Sequence, residues 1–158
     1  MNDILTTILK DTFTLHQLKN KLNVLKTYLS QTFFGGVGSG GFDAEDLVWL
    51  KSLPPTLLQS FNKDNLTQVF TDFDKQINSL KVLTMYLTFE PDKDSLAAIG
   101  TKVRTAFPGV SLIDLKIDPT LIAGPAFVWH GIYKDFSLKA SIEAKKALIL
   151  ENLKKFLR

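Results

Sequence analysis

The sequence predicts an α+β protein: an N-terminal helical bundle over residues 1–78, then a small α/β domain with a mixed sheet over residues 79–158. Up to about residue 78, apolar residues recur every three or four positions, as on the buried face of a helix. From Leu80 they alternate with a period of two, as in a strand. A helical pattern, a second strand, a hairpin signal and a final helix follow. The element order of the second part is therefore β-α-β-β-β-α.

The composition is that of a globular protein. The chain has 158 residues, of which 45% are hydrophobic and 22% charged, so it can bury a real core. It has no cysteine, which excludes disulfides and thiolate metal sites. The net charge of +3 permits an anionic partner without requiring one. From the N-terminal residues and the lack of a long apolar window we expect no signal peptide and no membrane span.

Residues 4–32 are predicted to form one long helix. Two interpretations of its apolar repeat are open: the core face of a bundle, or a coiled-coil contact with a partner. Further apolar residues beside the repeat, such as Leu5 and Leu9, widen the face and favour the bundle. The repeat consists of Ile4, Ile8, Leu15, Leu18, Leu22, Leu25 and Leu29. For the partner interpretation, the candidate contacts are Leu15, Leu18, Leu22 and Leu25.

A glycine-rich stretch, residues 35–41, follows this helix. Gly36, Gly38 and Gly41 match the G-x-G-x-x-G pattern of dinucleotide sites. That motif needs a strand before it, and here a helix precedes it. The stretch also lacks the Lys-Ser/Thr pair of a phosphate-binding loop. We interpret it as a flexible connector.

Three shorter helices complete the predicted bundle. Asp43 is the expected N-cap of a helix through Leu53, with Leu47 and Leu50 facing inward. Pro55 opens a short helix. The third spans about residues 64–79, with Asn62 or Asp64 as its cap. Its apolar face comprises Leu66, Val69, Phe70, Phe73 and Ile77.

The predicted sheet begins with the alternating stretch that contains Leu83, Met85 and Leu87. Asp92 and Asp94 then suit a turn and a helix cap better than a metal site. The next helix carries apolar residues on one face, with Gly100 permitting close packing on the sheet. A strand over residues 110–117 follows, with Ile113, Leu115 and Ile117 on one side.

The rest of the chain is organised around residues 118–138, DPTLIAGPAFVWHGIYKDFSL. Asp118-Pro119 ends the strand, because proline has no N–H for the ladder. His130-Gly131 predicts a tight hairpin turn. Ser137 or Asp135 is the expected N-cap of one continuous helix that runs to the C-terminus. We expect this helix to lay its apolar face, with Leu138, Ile142, Ile149, Leu153 and Phe156, on the sheet.

No catalytic constellation is evident in the sequence. His16 and His130 lack the partners that catalysis or metal binding requires, so we expect structural or solvent roles for both. We expect no catalytic residue, cofactor or metal site. The lysine-rich final helix indicates a solvated face or a contact with an acidic partner. Binding to a membrane surface would need a free apolar face, and the predicted packing on the sheet removes it.

Residues 118–138 resemble a segment of the C-terminal domain of the delta subunit of bacterial ATP synthases, the family of the mitochondrial oligomycin-sensitivity-conferring protein. That family carries Asp-Pro-x-Leu-Ile-x-Gly, a short hairpin, and Asp-Gly-Ser-Leu before a C-terminal helix. Phe136 stands at the position of the second glycine. The resemblance covers residues 64–158, and the helical half is shorter than the family's six-helix bundle. The matching positions are Asp118, Pro119, Leu121, Ile122, Gly124, Asp135, Ser137 and Leu138.

The resemblance implies a non-catalytic stator subunit of a rotary proton-translocating ATP synthase. Its partners would be the alpha and beta subunits of the catalytic head and the membrane-anchored b subunits of the peripheral stalk. Its place would be peripheral, at the cytoplasmic face of the membrane. Leu121 and Ile122 are the residues expected to plug the sheet. The expected partner contacts on the final helix are Ile142, Ile149, Leu153 and Phe156.

Two alternatives stay open. The E-type stalk subunit of vacuolar and archaeal rotary enzymes has a similar order of C-terminal elements. Its N-terminal coiled coil is much longer, which disfavours it here. A small basic nucleic-acid-binding protein is the alternative from another class, and strongly salt-dependent affinity would identify it.

Overall fold

A computed structural model describes residues 3–35 and 42–156. It confirms the predicted α+β class, with helices in the N-terminal part and a four-stranded mixed sheet in the C-terminal part. The contacts divide the chain into two compact units, Met1–Lys81 and Val82–Arg158. Among the described residues, no helix is long and apolar enough to span a bilayer.

Five helices form the described part of the N-terminal unit: α1 (Asp3–Lys10), α2 (Leu15–Phe34), α3 (Ala44–Ser52), α4 (Pro55–Gln59) and α5 (Leu66–Ser79). The single helix predicted over residues 4–32 is therefore wrong, because the chain turns between α1 and α2. Gly35, with φ 64°, ends α2, and its N–H donates to the Gln31 carbonyl. The remaining glycine stretch, residues 36–41, lies outside the described residues.

A capping box causes the break between α1 and α2. The Thr14 side chain accepts the N–H of Gln17 at 3.1 Å, and Gln17 Oε1 accepts the N–H of Thr14 at 3.2 Å. These bonds satisfy backbone donors that a helix start leaves open. Just before them, the buried Thr12 hydroxyl donates to the Ile8 carbonyl at 2.6 Å. The apolar repeat in the sequence continues across the turn, so the repeat alone does not reveal the break between the two helices.

Lys21 ties the turn to α2. Its Nζ donates to the Asp11 carbonyl at 2.8 Å and to Thr12 Oγ1 at 3.1 Å. The ammonium lies 5.6 Å from the centre of the Trp49 ring. Burial lowers the pKa of Lys21, and the Asp11 carboxylate opposes that shift. The lysine thus bridges α2, the turn and α3.

The core of this unit contains the residues of the apolar repeat. Leu18, Leu22, Leu25 and Leu29 are buried on α2. On α5, the predicted face is buried at Leu66, Phe70, Phe73 and Ile77, and Val69 is half-buried. The rings of Phe70 and Phe73 meet edge to face, 5.5 Å apart. The repeat on α2 is therefore a core face.

The start of α3 is as the sequence predicts, and two expectations around α3 and α5 are wrong. Asp43 Oδ1 accepts the Asp46 N–H at 2.7 Å and caps α3. The N-cap of α5 is Asn65, not Asn62 or Asp64 as predicted; the Asn62 side chain closes the preceding turn, where its Oδ1 accepts the N–H of Asn65 at 2.8 Å. Leu47, expected to face inward, is 42% exposed. The buried part of α3 is its C-terminal end, at Leu50.

The C-terminal unit has the sheet order β2-β1-β3-β4. Its elements are β1 (Val82–Leu87), α6 (Lys93–Ala106), β2 (Leu112–Ile117), a 3-10 turn (Pro119–Leu121), β3 (Ala126–Trp129), β4 (Ile132–Asp135), α7 (Leu138–Ala144) and α8 (Lys146–Phe156). Strands β1 and β2 pair in parallel, with α6 as the crossover. The pairs β1–β3 and β3–β4 are antiparallel.

One face of this sheet packs on α6. Leu83, Met85 and Ile113 from the strands form a buried cluster with Val103 of α6, and Gly100 is buried beside it. Burial decreases along β2. Ile117, predicted to share a buried side with Ile113, is 47% exposed because the cluster ends before it.

The predicted continuous final helix is also wrong. The chain leaves helical geometry at Lys145, with φ −104° and ψ 7°, and this break separates α7 from α8. The N–H of Lys145 donates to Ile142 and Glu143 carbonyls, which closes α7 tightly. Helix α8 then begins at Lys146, and its Ile149 N–H donates to the Lys145 carbonyl.

Candidate interaction surface

The turn after β2 positions the rest of the C-terminal unit. The Asp118 N–H donates to the Leu87 carbonyl at 2.7 Å, which extends the parallel ladder to the turn. Asp118 Oδ1 accepts from the Thr120 hydroxyl at 2.7 Å and from its N–H at 2.9 Å. These bonds lower the pKa of Asp118, and the bond from the Thr120 hydroxyl has the larger effect. Pro119 begins the 3-10 turn, and Leu121 at its end is buried.

Ile122 does not plug the sheet as predicted. It is 61% exposed and has φ 67° and ψ −56°, a conformation that β-branched residues rarely adopt. The N–H of Ala123 donates to the Leu121 carbonyl at 2.9 Å and closes a three-residue turn around Ile122. This tight turn buries Leu121 and directs Ile122 outward.

Gly124 lies where the chain passes closest to the start of α7. Its φ is +85°, and a Cβ placed on it would lie 2.8 Å from the Phe136 carbonyl oxygen. Two backbone bonds flank this approach: Phe136 N–H to the Pro125 carbonyl, and Leu138 N–H to the Ala123 carbonyl at 2.7 Å. A glycine is therefore required to hold the helix start against the turn.

The predicted hairpin is confirmed. His130 and Gly131 both have positive φ, 51° and 76°, as a two-residue type I′ turn requires. The turn pairs Trp129 with Ile132 across the strands.

Ser137 is the N-cap of α7. Its side chain is fully buried and accepts the Ala140 N–H at 3.3 Å. Asp135, the other predicted candidate, supports it: Asp135 Oδ1 accepts the Ser137 N–H at 2.8 Å. The bonds from Ser137 lower the pKa of Asp135. The two side chains together fix where α7 begins.

Helices α7 and α8 both carry exposed apolar residues, which together we call the C-terminal apolar face. The expectation that the sheet uses this face is wrong, because α6 supplies the helix that packs on the sheet core. Exposure ranges from 40% at Ile149 to 92% at Phe156. The face comprises Leu138, Ile142, Leu148, Ile149, Leu150, Leu153 and Phe156.

The residues expected to contact partners fall into two groups. Leu18, Leu22 and Leu25 are buried within the N-terminal unit, and Leu15 is half-buried. The first three therefore belong to the core of this unit. The four residues expected on the final helix, by contrast, are all exposed and belong to the C-terminal apolar face.

Lysines dominate the charge of the two helices. Residues 138–156 contain five lysines and two glutamates. One pair is engaged internally: Lys155 Nζ lies 2.8 Å from Glu151 Oε1, one turn apart on α8. The apolar face is therefore carried by a cationic segment, which favours an anionic partner.

Sequence reasoning missed an apolar groove beside the sheet. It has a volume of about 380 Å³, and among the described residues Lys102 is the one charged residue that lines it. Phe89, at its rim, is 66% exposed. Phe127 lines the groove and meets Phe136 edge to face at 5.9 Å, which links the groove to the start of α7. Phe89 had a sequence signal, since it continues the apolar alternation beyond the end of β1.

A second groove lies between α2 and α5 in the N-terminal unit. It encloses about 360 Å³ and is lined by charged and apolar side chains, among them Lys19, Lys26, Asp74 and Phe70. The Lys26 ammonium lies 5.8 Å from the centre of the Phe70 ring. In the described part of the chain, no three His, Cys, Asp or Glu side chains come together as metal ligands would.

Comparison of the chain with protein-family models and with curated proteins finds no match.

Proposed function

We propose that this chain is a non-catalytic stator subunit of a rotary proton-translocating ATP synthase. In this role it links the catalytic head to the membrane-anchored b subunits of the peripheral stalk. It acts peripherally, at the cytoplasmic face of the membrane. The N-terminal unit sits on the crown of the head, which the alpha and beta subunits form, and holds the N-terminal helices of the alpha subunits; the C-terminal unit holds the C-terminal ends of the b subunits.

The observation that carries the proposal is the folding of residues 118–138. Three residues of the resemblance perform clear local tasks, although Ile122 does not plug the sheet. Asp118 caps a turn, Gly124 permits a close backbone approach, and Ser137 caps α7. A segment selected for this backbone arrangement explains why these residue types stand at this spacing.

The C-terminal apolar face supports the second half of the proposal. A stator must resist the torque of the rotor without turning over a substrate, so it needs extensive contacts with its partners. Exposed apolar helix faces form such contacts by packing against other helices. Ile142 of α7 and Ile149 of α8 belong to this face and are 44% and 40% exposed. We assign them to the contact with the b subunits.

The proposal is tested by co-purification from the membrane fraction of the source cells. The full chain carries a tag at its N-terminus, away from α7 and α8. We expect the alpha, beta and b subunits of an ATP synthase to be recovered with it. Recovery of the chain alone, or with nucleic acid, would refute the stator assignment.

A variant separates the two partners. Ile142→Asp with Ile149→Asp places charges on the apolar face, and both sites are exposed, so the fold is retained. We expect loss of the b subunits from the co-purified material. Val48→Asp is the matched control, because Val48 is 69% exposed on α3. Equal loss of the b subunits with the control would contradict the assignment of this face.

A further inference from the structure

We infer that α8 binds the surface of an anionic lipid bilayer when no protein covers it. The inference concerns the chain outside any complex and holds whether or not the stator proposal is correct. It depends on three features of the helix: the width of its apolar sector, the position of its charges, and its exposure.

The apolar sector of α8 is too wide for a contact with one helix. Leu148, Ile149 and Leu150 are consecutive, and they are 57%, 40% and 47% exposed. Successive helix residues point about 100° apart, so these three side chains span about 200°. A helix–helix seam is a narrow stripe, whereas a helix that lies in a membrane interface buries a broad face.

Leu153 and Phe156 extend this sector along the helix. Leu153 is four residues after Ile149 and Phe156 is three residues after Leu153, so both lie over the same side, and they are 52% and 92% exposed. The 11-residue helix is about 16 Å long and would lie flat with this side in the boundary between headgroups and acyl chains.

Three of the four charges of α8 lie outside the apolar sector, and the fourth, Lys146 in the first turn, lies within it. By the same geometry, Glu151, Lys154 and Lys155 point away from the middle of the apolar side, and Glu151 pairs with Lys155. Lys145 and Lys146 stand at the start of the helix. The lysines outnumber the single glutamate of α8, so the helix presents net positive charge to the headgroups. This complementarity selects anionic lipid over neutral lipid.

The test is co-sedimentation of the full chain with lipid vesicles. One set contains equal parts of phosphatidylglycerol and phosphatidylcholine, and the other contains phosphatidylcholine alone. We expect binding to the anionic vesicles that weakens as salt is added, and little binding to the neutral vesicles. Equal binding to both sets, or no binding to either, would overturn the inference.

Two pairs of variants assign the binding to α8. Ile149→Gln with Leu153→Gln removes apolar contact at exposed positions, and we expect at least about tenfold weaker binding. Val48→Gln, also at an exposed apolar position, should leave binding unchanged. An equal effect of both changes would show that α8 is not the membrane contact.

The second pair addresses charge. Lys154→Glu with Lys155→Glu should abolish the preference for anionic vesicles, while Lys51→Glu in the N-terminal unit should preserve it. If the chain binds neither set of vesicles but does bind a synthetic acidic amphipathic helix, the inference is overturned. That result would show that the apolar face binds protein and not lipid.

Discussion

Replacing Gly124 by alanine tests the close approach that holds the start of α7 against the turn after β2. An alanine Cβ would lie 2.8 Å from the Phe136 carbonyl oxygen and 3.2 Å from the Ser137 Cα. Both contacts are with backbone, which cannot rotate away as a side chain can. The substitution must therefore displace either the turn or the beginning of the helix.

Two contributions to the loss of folding free energy add in Gly124→Ala. The left-handed conformation, φ +85°, costs alanine about 1 kcal/mol relative to glycine. Displacing packed backbone costs about 1–3 kcal/mol more. Gly131→Ala is the matched control, because its φ is +76° and nothing lies within 4 Å of the added Cβ. We therefore expect about 2–4 kcal/mol of destabilisation for Gly124→Ala and about 1 kcal/mol for Gly131→Ala.

Urea unfolding followed by tryptophan fluorescence measures this difference. Trp49 lies in α3 and Trp129 in β3, so a Trp49→Phe background leaves Trp129 as the reporter of the C-terminal unit. In a thermal melt of the same variants, each kcal/mol of destabilisation should lower the melting temperature of a unit of this size by about 4–8 °C. Equal destabilisation by the two alanines would refute the argument that backbone proximity, rather than backbone conformation alone, requires glycine at position 124.

Three further predictions concern single side chains. Thr120→Val removes the hydroxyl that is the largest cause of the lowered pKa of Asp118, so an NMR titration should find that pKa closer to its ordinary value. Phe73→Ala should destabilise the N-terminal unit by about 3–5 kcal/mol, because Phe73 is fully buried, whereas Phe34→Ala, at an exposed site, should cost under about 1 kcal/mol. Thr14→Ala breaks the capping box and should cost about 1 kcal/mol in urea unfolding.

These predictions have internal controls. The pKa of Asp92, lowered by its bonds from Ser95, should not move in Thr120→Val. Thr71→Ala, at an exposed mid-helix position, should change stability by less than about 0.5 kcal/mol, and a loss as large as that of Thr14→Ala would contradict the capping argument. Phe73→Ala and Phe34→Ala with similar costs would contradict the assigned core.

The lowered pKa of Asp118 also sets the sign of a pH effect. A carboxyl group whose pKa is depressed in the folded state stabilises that state above its unfolded pKa, about 3.9. This contribution is lost as the pH falls through the lowered pKa. The acid limb of the stability curve of the C-terminal unit should therefore become shallower in Asp118→Asn.

Local signals in the sequence predicted local structure correctly. The caps at Asp43, Asp92 and Ser137 and the hairpin at His130-Gly131 depend on bonds within a few residues, so neighbouring residue types determine them. The break before α2 also had such a signal. Thr14-Leu15-His16-Gln17 is a capping-box pattern, and the apolar repeat that runs across it concealed the turn.

Features that depend on tertiary packing could not be predicted from these local signals. An amphipathic pattern shows that a helix has an apolar side but not what covers it. For that reason α2 and α8 have similar apolar patterns but differ in burial: Leu25 of α2 is buried, and Leu153 of α8 is 52% exposed. The outward turn at Ile122 was also unpredictable, because a positive φ at isoleucine contradicts its intrinsic preference. The groove beside Phe127 forms only when α6 lies on the sheet.

The most direct test of the stator proposal is photo-crosslinking from the C-terminal apolar face in the source cells. A photoreactive amino acid replaces Ile149, and a second chain carries it at Val48 as the control. The proposal predicts an adduct with a b subunit of an ATP synthase from position 149 and none from position 48. Adducts from position 149 only with proteins outside the ATP synthase would contradict it.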